Sequence, residues 1–105
     1  MSKRPEPPYY AVIFPNQRTE VDPEGYAKMA QRMVELAAQQ PGCLGFDSAR
    51  SPDGFGITVS YWESLEAISA WKAHPEHLRA QDLGREKWYV SFDVHITKVE
   101  RSYSF

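Results

Sequence analysis

One cysteine, Cys43, is all that the 105 residues contain. An internal disulfide is therefore impossible, and the chain suits a reducing compartment. No apolar run approaches the ~20 residues that cross a bilayer, so no membrane association is expected. Twelve basic side chains stand against fourteen acidic ones, for a net charge of -2. With no basic stripe, nucleic acid is not an expected partner. The opening MSKRPEPP carries charge but no apolar segment after it, so no signal peptide is expected and the location is taken as cytoplasmic. No CxxC, HExxH or histidine–carboxylate cluster is present, which argues against a metal site. The only glycine-rich stretch, GFG at 54–56, belongs to a hairpin rather than to a phosphate loop. No nucleophile elbow supports hydrolase chemistry. Cys43 follows a helix C-terminus and lacks the electropositive setting of a reactive thiolate.

What is present is punctuated cleanly. Residues 1–8, with three prolines, read as a flexible N-terminal arm, and residues 9–105 as a single domain. YYAVIF (9–14) is aromatic and β-branched and predicts a first strand closed by Pro15-Asn16. Asp22-Pro23-Glu24 supplies an N-cap, a first-turn proline and a first-turn acid. Tyr26, Met29, Ala30, Met33, Leu36 and Ala37 then follow at helical spacing until Pro41-Gly42. A strand from about Leu44 to Arg50, the turn Ser51-Pro52-Asp53-Gly54 and the strand GITVSYW (56–62) form a hairpin. Ser64 caps a second helix that directs Leu65, Ile68 and Trp71 to the sheet. Pro75 predicts a kink or restart, with the restarted piece ending near Gly84 as its C′ residue. The last strand carries Trp88, Val90, Phe92, Val94 and Ile96 on one face, and its phase shift between Ile96 and Val99 predicts a bulge. The order β-α-β-β-α-β is α+β and ferredoxin-like: an antiparallel sheet with helices on one face. Aromatic residues on both sheet faces call for a second cover, and a homodimer is the expected one.

Candidate functional residues concentrate between Tyr61 and Arg85. Were the second helix to run on through Pro75, Trp71, His74, Leu78, Gln81 and Arg85 would form one stripe. Such a stripe is either a pocket wall or a flank whose polar ends reach solvent. Trp62 ends its strand on the face of Thr58 and Ser60, as core cover or as pocket lining. Tyr61, opposite, belongs to core or interface, and His77 reads as a solvated surface histidine. Asp93 and His95 share a strand face, where the acid could orient the imidazole or merely complete a cross-strand hydrogen bond.

The segments ITVSYWESLEAISAWKAH and HLRAQDLGREKWY, the WES at the strand–helix junction and the PGCLGFDSAR passage resemble the antibiotic biosynthesis monooxygenase (ABM) domain family. The resemblance covers residues 9 to about 100. It implies a dimeric α/β barrel, with a pocket in each protomer between helices and sheet. It further implies a cofactor-independent monooxygenase that oxidises a small or polycyclic aromatic phenol or quinone-type substrate, with molecular oxygen as co-substrate. In that reading Trp62 and His74 are catalytic, and Asn16, Thr58, Trp71, Leu78, Gln81 and Arg85 bind the substrate. Thr58 stands where the family often has asparagine, a departure that bears on substrate orientation. The heme-degrading branch offers a different match: Asn16 and Trp71 fit, but Gln81 stands at the position of the iron-ligating histidine. His74 or His77 would have to substitute. A third alternative is a non-catalytic, small-ligand-binding or stress-response homodimer, with a pocket filled by Met29, Met33 and Phe46.

Overall fold

The computed structural model describes residues 6–105, so the first five residues of the expected arm lie outside it. Its elements are β1 (Tyr9–Arg18), α1 (Pro23–Ala38), β2 (Cys43–Arg50), β3 (Phe55–Trp62), α2 (Leu65–Lys72) and α3 (Pro75–Leu83). A single π-helical turn (Gly84–Trp88) leads into β4 (Tyr89–Phe92) and β5 (His95–Val99). All pairings are antiparallel, in the order β2-β3-β1-β4, with β5 also on β1. This is the ferredoxin-like α+β architecture expected from the element order.

The local signals for α1 act as expected. Asp22 is the N-cap, its side chain accepts from Gly25 N at 3.1 Å, and Pro23 opens the first turn. Gly42, at φ 86°, turns the chain out of α1. A Cβ there would meet Ala67 Cβ at 2.7 Å, so the position needs glycine for its backbone and for α2's approach. Ser64 caps α2 through Ala67 N at 3.1 Å, and helix restarts at Pro75 with His74 as the cap.

Several expectations need correction. β1 does not stop at Pro15 but continues to Arg18. Pro15 is accommodated because its carbonyl accepts from Asp93 N, which places its missing N–H on the same side. That is where β4 gives way to β5, at Asp93–Val94. The register is unbroken across the gap, since Asn16 pairs with Phe92 and Ile13 with His95. No shift separates Ile96 from Val99; the irregularity lies at Gln17/Arg18, with Val90 as the extra residue. Trp88 belongs to the π turn rather than to the strand, and Gly84 is right-handed (φ -60°), not a helix-ending C′ residue. Leu65 is 49% exposed, so of the three α2 residues expected to face the sheet only Ile68 is buried and Trp71 half-buried.

Residues directly opposite on paired strands share a face. Phe14, Thr58 and Ser48 therefore stand on one face, as do Asn16, Gly56 and Arg50, and Tyr10, Trp62 and Cys43. α1 lies over this inner face, because Tyr26 contacts Arg18, Arg50 and Tyr89. The outer face carries Ile57, Val59 and Tyr61. Asp93 and His95, also on the outer face, both remain exposed.

Candidate active site

The inner face is bounded by two polar–aromatic assemblies. At one end Trp62 is fully buried, and its Nε1 donates to Ser60 Oγ at 2.9 Å. Thr58, toward the middle, exchanges a 3.0 Å hydrogen bond with Ser48. At the other end Asn16 is only 2% exposed. Its Oδ1 accepts from Arg50 Nη2 at 2.7 Å, and its Nδ2 donates to Phe14 O at 3.1 Å. Trp62 pairs with Tyr10, six residues along β1 from Asn16, so the ends are roughly 20 Å apart. Between them Val12, Phe14, Phe46, Thr58 and Ser60 stay only half-buried although they face the helices.

The Asn16 end includes residues that the sequence did not single out as functional. Arg50 Nη2 also donates to Tyr26 Oη at 3.1 Å, and Tyr89 Oη lies 3.4 Å from the same oxygen. Arg18 stacks on the Tyr26 ring, its Cζ 3.4 Å from the centroid, while its Nε donates to Trp88 O. Burial and the hydrogen bond to Tyr26 push the Tyr89 phenol well above its ordinary value, so it stays protonated. Phe14, Tyr89 and Phe92 pack edge-on or tilted, with centroids 5.5 to 5.8 Å apart. Tyr26 looked like one more apolar-stripe residue, and Arg50 like a strand end. The readable signal was the hairpin register, which sets Arg50 opposite a glycine.

The α2–α3 junction breaks the proposed helical stripe. His77, not His74, stacks on Trp71, at 4.5 Å and 8° between planes. His77 Nδ1 lies 3.1 Å from Trp71 O, and burial pushes the imidazole below its ordinary value. It is thus a half-buried packing histidine and not the solvated one expected. His74 sits 5.5 Å from the Trp71 ring and uses Nδ1 to accept from Glu76 N at 3.2 Å. Among the described residues neither of these two imidazoles has a hydrogen-bond partner at Nε2. Gln81 is half-buried, whereas Leu78 is 46% exposed and turned from the core. Arg85 is exposed and lies over the Phe92 ring at 5.8 Å, which associates it with the Asn16 end.

An open groove of about 520 Å³ separates α1 from α3. Met29, Leu83 and Trp88 line it together with Lys28, Arg32, Glu76 and Arg79; Trp62 and His74 do not. Arg32 and Glu76 bridge it with paired hydrogen bonds of 3.0 and 3.1 Å. Trp88 Nε1 is buried with no acceptor among the described residues. Among those residues no three histidine, cysteine or acidic side chains gather as metal ligands. Cys43 is half-buried, and desolvation raises its thiol, as its setting after α1 suggested.

The chain is similar to known proteins over most or all of its length. Uncharacterized protein YqjZ of Bacillus subtilis (strain 168) is 54% identical over 105 residues, covering 100% of this chain and 91% of its own. SnoaB of Streptomyces nogalater, a cofactor-independent oxygenase, superposes with a TM-score of 0.76 at 14% identity, over 90% of this chain and 95% of its own. PA3566 of Pseudomonas aeruginosa does so with a TM-score of 0.73 at 15% identity, over 94% and 99%. At such identities the likeness is one of fold. The model of the antibiotic biosynthesis monooxygenase family matches residues 16–83, from the buried Asn16 through Trp62 to the end of α3. The chain belongs to the antibiotic biosynthesis monooxygenase family.

Proposed function

We propose that this protein is a cofactor-independent monooxygenase that oxidises an electron-rich aromatic phenol or quinone precursor on the inner sheet face. The observation that carries the reading is that face itself. It has a buried tryptophan at one end, a buried asparagine at the other, and half-buried aromatic and hydroxyl side chains between them. An electron-rich substrate anion can pass an electron to oxygen and recombine with the superoxide formed. The resulting hydroperoxide loses water to leave a carbonyl, so a ring CH₂ and O₂ become C=O and H₂O. The protein then has to hold the ring, favour the anion and move protons.

Trp62, fully buried, closes one end and backs the face on which the ring would lie. Thr58 supplies a hydroxyl along the face, Asn16 holds Arg50 at its far end, and Trp71 and Gln81 belong to the covering helices. His74 is the assigned proton carrier: its Nδ1 is held by the helix start, which leaves Nε2 to exchange a proton. Leu78 and Arg85, at the exposed edges, are assigned to the approach of the substrate. The working unit is a homodimer joined through the outer sheet face, where Phe55 and Ile57 stand 44% and 42% exposed.

The test is a spectral titration with anthrones and dihydroxynaphthalenes, run with and without oxygen and with no flavin or metal added. Quinone formation that needs oxygen and weakens in Trp62→Phe is the expected result. Saturable binding with no turnover across the panel would replace the enzyme with a ligand-binding dimer.

A further inference from the structure

We propose that Arg18, Arg50 and Tyr26, gathered beside Asn16, form an anion-recognition site that takes the carboxylate of an aromatic acid. The proposal rests on the inner face being the ligand site and narrows the substrate class from aromatic phenols to aromatic hydroxy acids.

Two guanidinium groups converge here. Both Cζ atoms lie within 5.7 Å of the centre of the Tyr26 ring, Arg18 on its face and Arg50 toward its hydroxyl. Among the described residues neither has an acidic partner; the ion pairs there belong to Arg32, Arg85 and Lys87. The acid of the adjacent hairpin, Asp53, is held by Ser51 Oγ and Phe55 N. Two like charges on one phenol ring, with no counter-charge, repel each other until an anion joins them.

The unused hydrogen-bonding capacity points the same way. Arg18 engages only its Nε, with Trp88 O, so both its Nη groups lack a protein acceptor among the described residues. Arg50 engages Nη1 and Nη2 with Gly54 O, Asn16 and Tyr26, and its Nε remains. A guanidinium fork matches a planar carboxylate better than any other side chain does. Arg50 is also fixed in place. Its guanidinium crosses β3 above Gly56, where a Cβ would lie 2.8 Å from Cζ. Three acceptors then hold it over the inner face, and it remains exposed to an arriving ligand. The neighbouring Phe14, Tyr89 and Phe92 offer ring surface to the apolar part of the molecule.

The experiment compares two probes that differ in the carboxylate, 1-hydroxy-2-naphthoate and 1-naphthol, by anaerobic calorimetric titration of the full chain at neutral pH and low salt. The acid should bind about tenfold or more tightly than the neutral phenol, as charge-assisted hydrogen bonds predict. Arg50→Gln and Arg18→Gln should each shrink that preference, lowering affinity for the acid by a larger factor than affinity for 1-naphthol. Arg50→Lys, which keeps the charge and loses the fork, should fall between. Circular dichroism identifies any variant that does not fold, and the remaining variants then decide. Equal affinity for the two probes, no binding of the acid, or a preference that survives in folded Arg18 and Arg50 variants would overturn the site. Anaerobic binding separates this from catalysis. Turnover of neutral phenols without carboxylate preference sinks the anion site alone, and carboxylate-selective binding without oxygen-dependent turnover sinks the oxygenase alone.

Discussion

Arg50 reaches Asn16 across an entire strand, Nη2 to Oδ1 at 2.7 Å, because Gly56 between them has no side chain. Asn16 is 2% exposed, so its Oδ1 depends on that donor. Asn16→Leu removes Arg50's acceptor and places an apolar group beside the charge. A loss of about 1–3 kcal/mol in urea unfolding is expected. Gly56→Val drives Arg50 aside by a different route and leaves Asn16 Oδ1 without its donor, so the same loss is expected there.

Trp62 is fully buried, and Trp62→Ala leaves a large cavity that should cost about 3–5 kcal/mol. Trp62→Phe retains ring packing but loses the bond to Ser60 Oγ, and should cost clearly less. Denaturation midpoints of the two variants check this. Equal losses would mean that the hydrogen bond, rather than the ring, anchors that end of the sheet.

His77 provides a pH test. Burial, with the Lys72 charge nearby, holds its folded value below the ordinary 6.5. Above 6.5 neither folded nor unfolded chain protonates it, and stability is unaffected. As pH falls below that value the unfolded chain takes up the proton first, so stability declines toward the depressed folded value. The thermal midpoint should therefore fall as pH is lowered below about 6.5, and fall less in His77→Phe. An unchanged slope in that variant would assign the acid sensitivity elsewhere.

The outer face carries Phe55 and Ile57 exposed side by side in sequence parity. Sedimentation equilibrium should give a dimer for the native chain and a shift toward monomer for Ile57→Asp. A native monomer at micromolar concentration would remove the homodimer from the account.

Much of the fold was legible because the apolar spacing changes from three-and-four to two where the chain changes from helix to strand. Asp22-Pro23, Ser64 and Pro75 then marked helix starts by local chemistry, and the structure uses each of them so. Pro15 misled, because a proline inside a central strand is tolerated only where its missing N–H meets a gap in the partner. That gap, at Asp93–Val94, is a tertiary fact. Gly84 misled because a glycine can serve close packing as readily as a helix end: a Cβ there would meet the Tyr89 ring at 2.8 Å. The site was legible in part. Trp62 and Asn16 were marked from their strand positions and from family likeness. Tyr26, Arg18, Arg50 and Tyr89 acquire a role only when α1, β1, β2 and β4 meet, which no local spacing announces. His77 packs against Trp71, not out in solvent, because the break at Pro75 sets α3 at a new angle to α2.

The most direct test of the central claim is isotopic. An oxygenated substrate from the anthrone and dihydroxynaphthalene panel is incubated under oxygen-18 gas in ordinary water, with chelator present and no flavin, and the product is weighed by mass spectrometry before exchange. The account predicts one labelled oxygen atom per product molecule, with the yield reduced in Trp62→Phe. Product carrying only unlabelled oxygen, or yield identical with and without the protein, would contradict it.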